Sequence, residues 1–340
     1  MTSREIVRRA LDFERPERVP RDLWTLPIAS KTHPGSIEAI HEDFPNDFGG
    51  PEYNPPGAGW TAGNGYALGT FVDEWGCVFE NIQEGVIGEV KEPLVARWSD
   101  LNKVKPPCEL LGKGMESVNE SCAKSDKYLL AGCCPRPWER MQFIRGSQNL
   151  YIDVMDQPKE FFTLRDMVHD YFVKEYEIWA RTDVDGLIFM DDWGTQHALQ
   201  IPPPIWRSLF KPLYKDYADI AHSHGKKIFM HSDGHIFEIY EDLIEIGIDA
   251  VNSQLFCMDI EEIGRRFKGR MTFWGEIDRQ HVLPSPDVEV ARRAVRRVAA
   301  SLYDPSGGVI AQCEFGPGAR PENVRAIFEE WEKVGREGGG

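Results

Sequence analysis

Gly186-Leu187-Ile188-Phe189-Met190-Asp191-Asp192-Trp193-Gly194 sets the pattern of the chain. A short apolar run ends in two acids, and a helical pattern follows over 204–224. The same unit recurs. KKIFM (226–230) runs into His231-Ser232-Asp233-Gly234 and a helical pattern over 236–246. DAVN (249–252) leads to Cys257 and then a helical pattern over 259–267. MTFWG (271–275) runs into Glu276-Ile277-Asp278, with helical spacing over 286–303. GGVIAQ (307–312) runs into Cys313-Glu314, with helical spacing over 321–334. Apolar runs with β-branched and aromatic residues suit central parallel strands, and strands alternating with helices predict a parallel sheet. Counted back from the last pair, the units predict a (β/α)8 TIM barrel. In such a barrel, residues just past the strands converge on one mouth. A doubly wound sheet fits the same local pattern, but no Gly-x-Gly-x-x-Gly or Walker sequence follows a strand.

Upstream, residues 3–13 predict an amphipathic helix with Ser3 as its cap. PERVPRDLW reads as extended, residues 45–65 as a Gly- and Pro-rich loop, and 66–95 as a β-hairpin or meander. Residues 127–132 predict a buried strand, and 137–182 several helices. The expectation is a single domain over 1–340, with an N-terminal helical and β-hairpin cap within 1–125.

The 340 residues carry a formal charge of −16. That balance speaks against a phosphate backbone or an anionic membrane as partner. No apolar h-region or membrane-length stretch is apparent, so a cytoplasmic protein is expected. Seven cysteines, an odd number, do not suggest a disulfide framework.

His231 and Asp233 lie two apart at a strand end, so extended backbone points both side chains the same way. Together with Cys257 and Cys313 they offer the imidazole, carboxylate and thiolate ligands that zinc takes. Bound zinc would polarise a thiol or an ether oxygen. The rival reading makes His231 a hydrogen-bonded structural residue and each Cys a small core residue. By alternation, one of Asp191 and Asp192 faces the mouth as a catalytic or substrate-orienting acid, while the other caps a turn. Glu276 reads as a general acid or a ligand, or as the salt-bridge partner of Arg279. Trp24, Trp75 and Trp193 read as substrate walls, against a role in gluing the cap to the barrel. Arg136 reads as a carboxylate anchor, or as the start of a helix with Pro137 in its first turn.

These residues carry a resemblance. The opening MTSREIVRRALDFERPERVPRDLW is similar to the start of many uroporphyrinogen decarboxylase superfamily members. So are RPWERMQFIRG, MDDWGTQ, HSDG, FWGEIDRQ and QCEFGPGARPENV, in that order along nearly the whole chain. The resemblance implies a TIM barrel and a homodimer. True decarboxylases of the family grip a polyanionic tetrapyrrole with an Arg-rich N-terminal segment. Here that segment offers Arg21 beside Asp22. The other branch, zinc-dependent corrinoid-linked methyltransferases, has His-x-Cys after one strand and Cys after the last. His231 and Cys313 match that pattern, and Asp233 stands where the first Cys would be. Asp233 or Cys257 then completes the metal set.

The resemblance therefore implies zinc, a corrinoid on a partner protein, and methyl transfer from a small substrate. Methoxylated aromatics are favoured, because a harder ligand set suits an ether oxygen. Two rivals stand beside this reading. One is a metal-free carboxy-lyase of the decarboxylase type. The other is a non-catalytic barrel that binds a small molecule.

Overall fold

A computed structural model describes residues 1–337. Eleven strands are labelled in chain order: β1 Arg21–Thr25, β2 Phe48–Gly49, β3 Gly69–Val72, β4 Val78–Asn81, β5 Glu89–Val90, β6 Tyr128–Leu129, β7 Gly186–Met190, β8 Lys227–Ser232, β9 Ala250–Ser253, β10 Thr272–Trp274 and β11 Val309–Phe315. Six form a curled sheet in the order β1-β11-β10-β9-β8-β7, and every pair in it is parallel. The short pair β2 and β6 is also parallel. Hydrogen bonds flank that pair on both sides. Asp47 N donates to Arg21 O at 2.9 Å beside β1, and Leu130 forms a parallel bridge with Gly186 at β7.

Alternation along the strands sorts their side chains into two layers. Ile188, Phe229, Ala250, Trp274 and Ile310 pack together inside the curl. Their neighbours Leu187, Phe189, Met230, Val251, Phe273 and Ala311 join the larger cluster shared with the helices. Each such side chain, fully buried, stabilises by about 1.5–3 kcal/mol. The long helices follow their strands as the spacing predicts: Ile260–Phe267, Val288–Leu302 and Pro321–Glu337. The predicted 204–224 helix is two, Pro203–Leu209 and Lys211–Ser223. Pro212, at the start of the second helix, has no N–H to continue the first.

The N-terminal elements divide between the two ends. β3, β4 and β5 form a three-stranded antiparallel sheet, which bears out the meander over 66–95. Helix Ser3–Leu11 instead lies at the opposite end from the mouth. Its Val7 and Leu11 enter the inner cluster, and Arg4 and Arg8 pair with Asp185, just before β7. Its cap is Thr2, in a capping box with Glu5, rather than Ser3. Ser3 donates to Asp47 at 2.6 Å instead. No described helix is long and apolar enough to cross a membrane.

Candidate active site

The ends of β7 and β8 are laced together backbone to backbone. Asp191 N donates to His231 O at 3.0 Å, and Gly194 N donates to Asp233 O at 3.0 Å. Trp193 N reaches Ser232 Oγ at 3.0 Å, and Asp233 N reaches Asp192 Oδ1 at 2.8 Å. Glycine permits this approach. A Cβ on Gly194 would fall 2.3 Å from the carbonyl carbon of Gly234, and Gly234 itself has a φ of +77°. The sequences DDWG and HSDG thus place Asp192, His231 and Asp233 side by side. Their ligand atoms all lie within 4.8 Å of one another.

Asn252 fixes the tautomer of His231. Its Nδ2 donates to Trp274 O, which leaves Oδ1 to face His231 Nδ1 at 2.6 Å. An acceptor there requires a ring proton on Nδ1, so in the neutral imidazole Nε2 presents its lone pair. That nitrogen lies 3.6 Å from Asp192 Oδ1 and 3.6 Å from Asp233 Oδ1, beyond hydrogen-bond range. Asp233 Oδ1 is buried and has no hydrogen-bond partner. Three acceptor atoms thus face one another, which a cation between them would satisfy. Tetrahedral zinc with bonds of about 2.0–2.2 Å sets its ligands about 3.3–3.6 Å apart. The donor set therefore fits a hard or borderline divalent ion. Burial and the like charge of Asp233 hold the Asp192 carboxyl above its ordinary range, against the pull of His231. Trp24 lies against the imidazole with ring centroids 5.2 Å apart, and Asp22 accepts from the indoles of Trp24 at 2.8 Å and Trp274 at 3.0 Å.

Arg279 gathers the remaining acids of the mouth. It bonds Asp233 Oδ2, reaches Glu314 Oε1 at 3.2 Å and stands 3.6 Å from Glu276 Oε1. Burial pushes the Glu276 carboxyl up to about 8 despite Arg279. Its Oε1 is buried without a hydrogen bond. Cys257 shares a small cavity with Glu276 and Arg279, its thiol 3.4 Å from Gln196 Oε1.

Several expected residues fall elsewhere. Asp191 is fully buried, and its carboxylate is consumed by Trp138 N and Glu139 N at 2.9 Å each and by Tyr214 Oη at 2.7 Å. It anchors the start of helix Pro137–Arg145, so the mouth-facing acid is Asp192. Trp193 is no substrate wall. It is fully buried, stacked on Trp138 at 4.7 Å and bonded to Tyr214 Oη at 2.7 Å. Cys313 is fully buried in the cluster shared with the helices, while Ile310 of the same strand lies inside the curl. Parity along β11 therefore turns Gln312 and Glu314 inward and Cys313 outward. Burial raises its thiol far above the ordinary value. The thiols of Cys257 and Cys313 lie outside the 4.8 Å group. Asn252 and Arg279 are the mouth residues that the sequence reading did not assign.

Beside this site, a chamber of about 780 Å³ lies under the β3–β5 sheet. Trp75 and Arg136, two of the expected substrate contacts, line it. Cys134 and Arg136 belong to the loop after β6, so the chamber opens at the same end as the metal-ligand group.

The profile of the uroporphyrinogen decarboxylase (URO-D) family matches residues 70–334. The chain belongs to the uroporphyrinogen decarboxylase family. Among solved structures it is similar to a methyltransferase from Methanosarcina mazei, with a TM-score of 0.67 and 16% identity over 98% of this chain and 99% of that one. At this identity the likeness establishes the shared fold. An endo-β-1,4-xylanase from Gloeophyllum trabeum follows with a TM-score of 0.40 and 12% identity, over 64% of this chain and 80% of that one. No curated protein matches the chain.

Proposed function

We propose that this family member is a zinc-dependent methyltransferase that takes a methyl group from a small methylated substrate and passes it to a corrinoid on a partner protein. One observation carries the reading. Nε2 of His231 faces two carboxylate oxygens at 3.6 Å each, one of them buried and without a partner. Asp192, His231 and Asp233 would hold the ion. Cys257 and Cys313, ligand candidates from the sequence, are not needed for this set. The methyltransferase likeness of the fold supports the branch, and the eight parallel segments are read as a closed (β/α)8 barrel. The free cysteines agree with a cytoplasmic setting.

When bound, zinc supplies Lewis acidity at the methyl-bearing heteroatom, and the corrinoid supplies the carrier for the methyl group. The residues of the chain do the rest. Asn252 keeps His231 in the tautomer that leaves Nε2 free. Arg279 offsets the charge of Asp233 and Glu314, so the acids coexist in one mouth. Glu276, protonated below about 8, holds a proton at a carboxyl oxygen for the departing heteroatom. Trp24 walls the mouth beside the imidazole. A polyanionic tetrapyrrole would meet Asp192, Asp233, Glu276 and Glu314 here, which disfavours the carboxy-lyase alternative.

The test is metal content of the purified protein by elemental mass spectrometry. About one zinc per chain is expected, with His231→Ala losing it and Cys313→Ser keeping it. No metal after zinc supplementation would sink the reading. Loss of metal in Cys313→Ser with normal folding would move the site to the thiolate set.

A further inference from the structure

The chamber under the β3–β5 sheet holds more carboxyl groups than cations. Four carboxyls line it, from Asp73, Glu74, Glu139 and Glu175, against the guanidinium groups of Arg136 and Arg140. No Lys or His contributes to its lining. Arg140 is already engaged by Asp73 and by Glu74, the latter at 3.0 Å. Arg136 Nη1 stands 3.8 Å from Glu139. That leaves Glu175. Among the described residues none donates a hydrogen bond to it; Glu74 raises its carboxyl, and Arg140 pulls the other way with a smaller effect.

The rest of the wall is aromatic. Tyr171 lies one helical turn before Glu175 on helix Lys159–Ala180, and Trp179 lies one turn after it, so the three share a face. Tyr53 closes edge-on against Trp179 with centroids 4.9 Å apart. Gly132 lets both rings in, since a Cβ there would fall 2.7 Å from Tyr53 Cδ1 and 2.9 Å from Trp179 Cη2. A carboxyl without a hydrogen-bond partner, beside aromatic side chains in a partly enclosed space, attracts a soft organic cation more than a hydrated metal ion. Ring quadrupoles add to the attraction, and a bulky ammonium is cheap to desolvate.

The geometry points to a binding site for an organic ammonium ligand in this chamber, with its charged group at Glu175 between Tyr171 and Trp179. None of Asp192, His231 and Asp233 lines the chamber, and an ammonium nitrogen has no lone pair to offer a metal, so this ligand site stands apart from the methyl transfer proposed above. Burial and Glu74 push the Glu175 carboxyl up to about 7, so the group stands to gain from a cation beside it. A neutral methoxylated arene would leave that charge unanswered.

Calorimetric titration of the full chain with choline and with 3,3-dimethylbutan-1-ol, its neutral isostere, tests the assignment. Choline is expected to bind roughly tenfold tighter or more. Glu175→Gln should erase that preference while leaving the affinity for the alcohol unchanged. Asp233→Asn, which disables the metal-ligand group, should keep the preference. Equal binding of the two compounds, no choline binding up to millimolar concentration, or a preference that survives Glu175→Gln would each overturn the proposal. Because the matched pair is compared on the unmodified protein, a variant that fails to fold does not decide the matter. A protein without zinc that still prefers choline would sink the methyl-transfer reading and leave the chamber assignment standing.

Discussion

The metal-ligand group and the chamber beside it both hold more carboxylates than cations, yet they are built to opposite plans. At the ends of β7 and β8 the acids are braced by backbone. Asp192 accepts from Asp233 N, and the two loops touch through Gly194 and Gly234. The atoms facing one another are fixed acceptors, 3.6 Å apart. In the chamber the acid stands on a long helix among rings, with open space before it. A rigid cluster of lone pairs selects a small ion by distance. An aromatic box selects a large cation by shape and polarisability. The contrast shows that a charge deficit alone does not name its ligand, because the walls decide it.

The largest effect expected from breaking this contrast comes at Gly234. Gly234→Ala would force a side chain into a φ of +77° and into the backbone of Gly194. The loops must then part, at about 3 kcal/mol or more. Thermal unfolding should fall by several degrees and metal retention should drop with it, while choline binding in the chamber stays. Loss of both functions together would mean that the two regions are one mechanical unit.

A smaller effect is expected at Asn252. Removing a partner that orients a metal-binding histidine typically lowers metal affinity tenfold to a hundredfold, about 1.4–2.7 kcal/mol. Asn252→Ala should do this with little change in stability beyond the lost bond to Trp274 O. Competition titration with a chromophoric chelator measures it. Unchanged affinity would mean that His231 is not a ligand and would return it to a structural role.

The sequence made part of this legible. The i, i+2 spacing of His231 and Asp233 correctly placed both at the mouth, and alternation correctly split Asp191 from Asp192. The same parity held two signals that went unread. If Asp192 turns inward, Trp193 turns outward with Asp191, and the fully buried indole shows that it does. If Ile310 is inside, Cys313 is outside, but this requires knowing that β11 runs unbroken to Phe315. Arg279 was legible locally only as the partner of Glu276, 3.6 Å away; its reach back 46 positions to Asp233, like the pairing of Asn252 in register with His231, exists only across strands. β2, two residues long beside a Gly- and Pro-rich loop, is held by neighbouring strands rather than by its own composition. The chamber was legible only through Trp75 and Arg136, for a related reason. Its acids and rings are scattered from Tyr53 to Trp179 and meet only when the β3–β5 sheet folds over helix Lys159–Ala180.

The last effect sharpens the comparison from beneath the metal-ligand group. Asp22 is a third buried carboxyl, answered by two neutral indole N–H groups and no direct cation. Burial pushes it up to about 7 from the ordinary 3.8, because neutral donors only partly offset the loss of water. The folded protein therefore holds the Asp22 proton more tightly than the unfolded chain does. The stability from this group is complete below about pH 4 and is lost as pH rises through about 7. Asp22→Asn keeps an oxygen for both indoles and removes the titration. Relative to the parent, the variant should gain about 2–3 kcal/mol between pH 5 and pH 8, read from urea unfolding at the two values. A variant whose stability tracks the parent at both pH values would mean that Asp22 is charged throughout. Two indoles would then suffice to hold a buried carboxylate, and the acids of the metal-ligand group, with Arg279 beside them, would have less need of an ion.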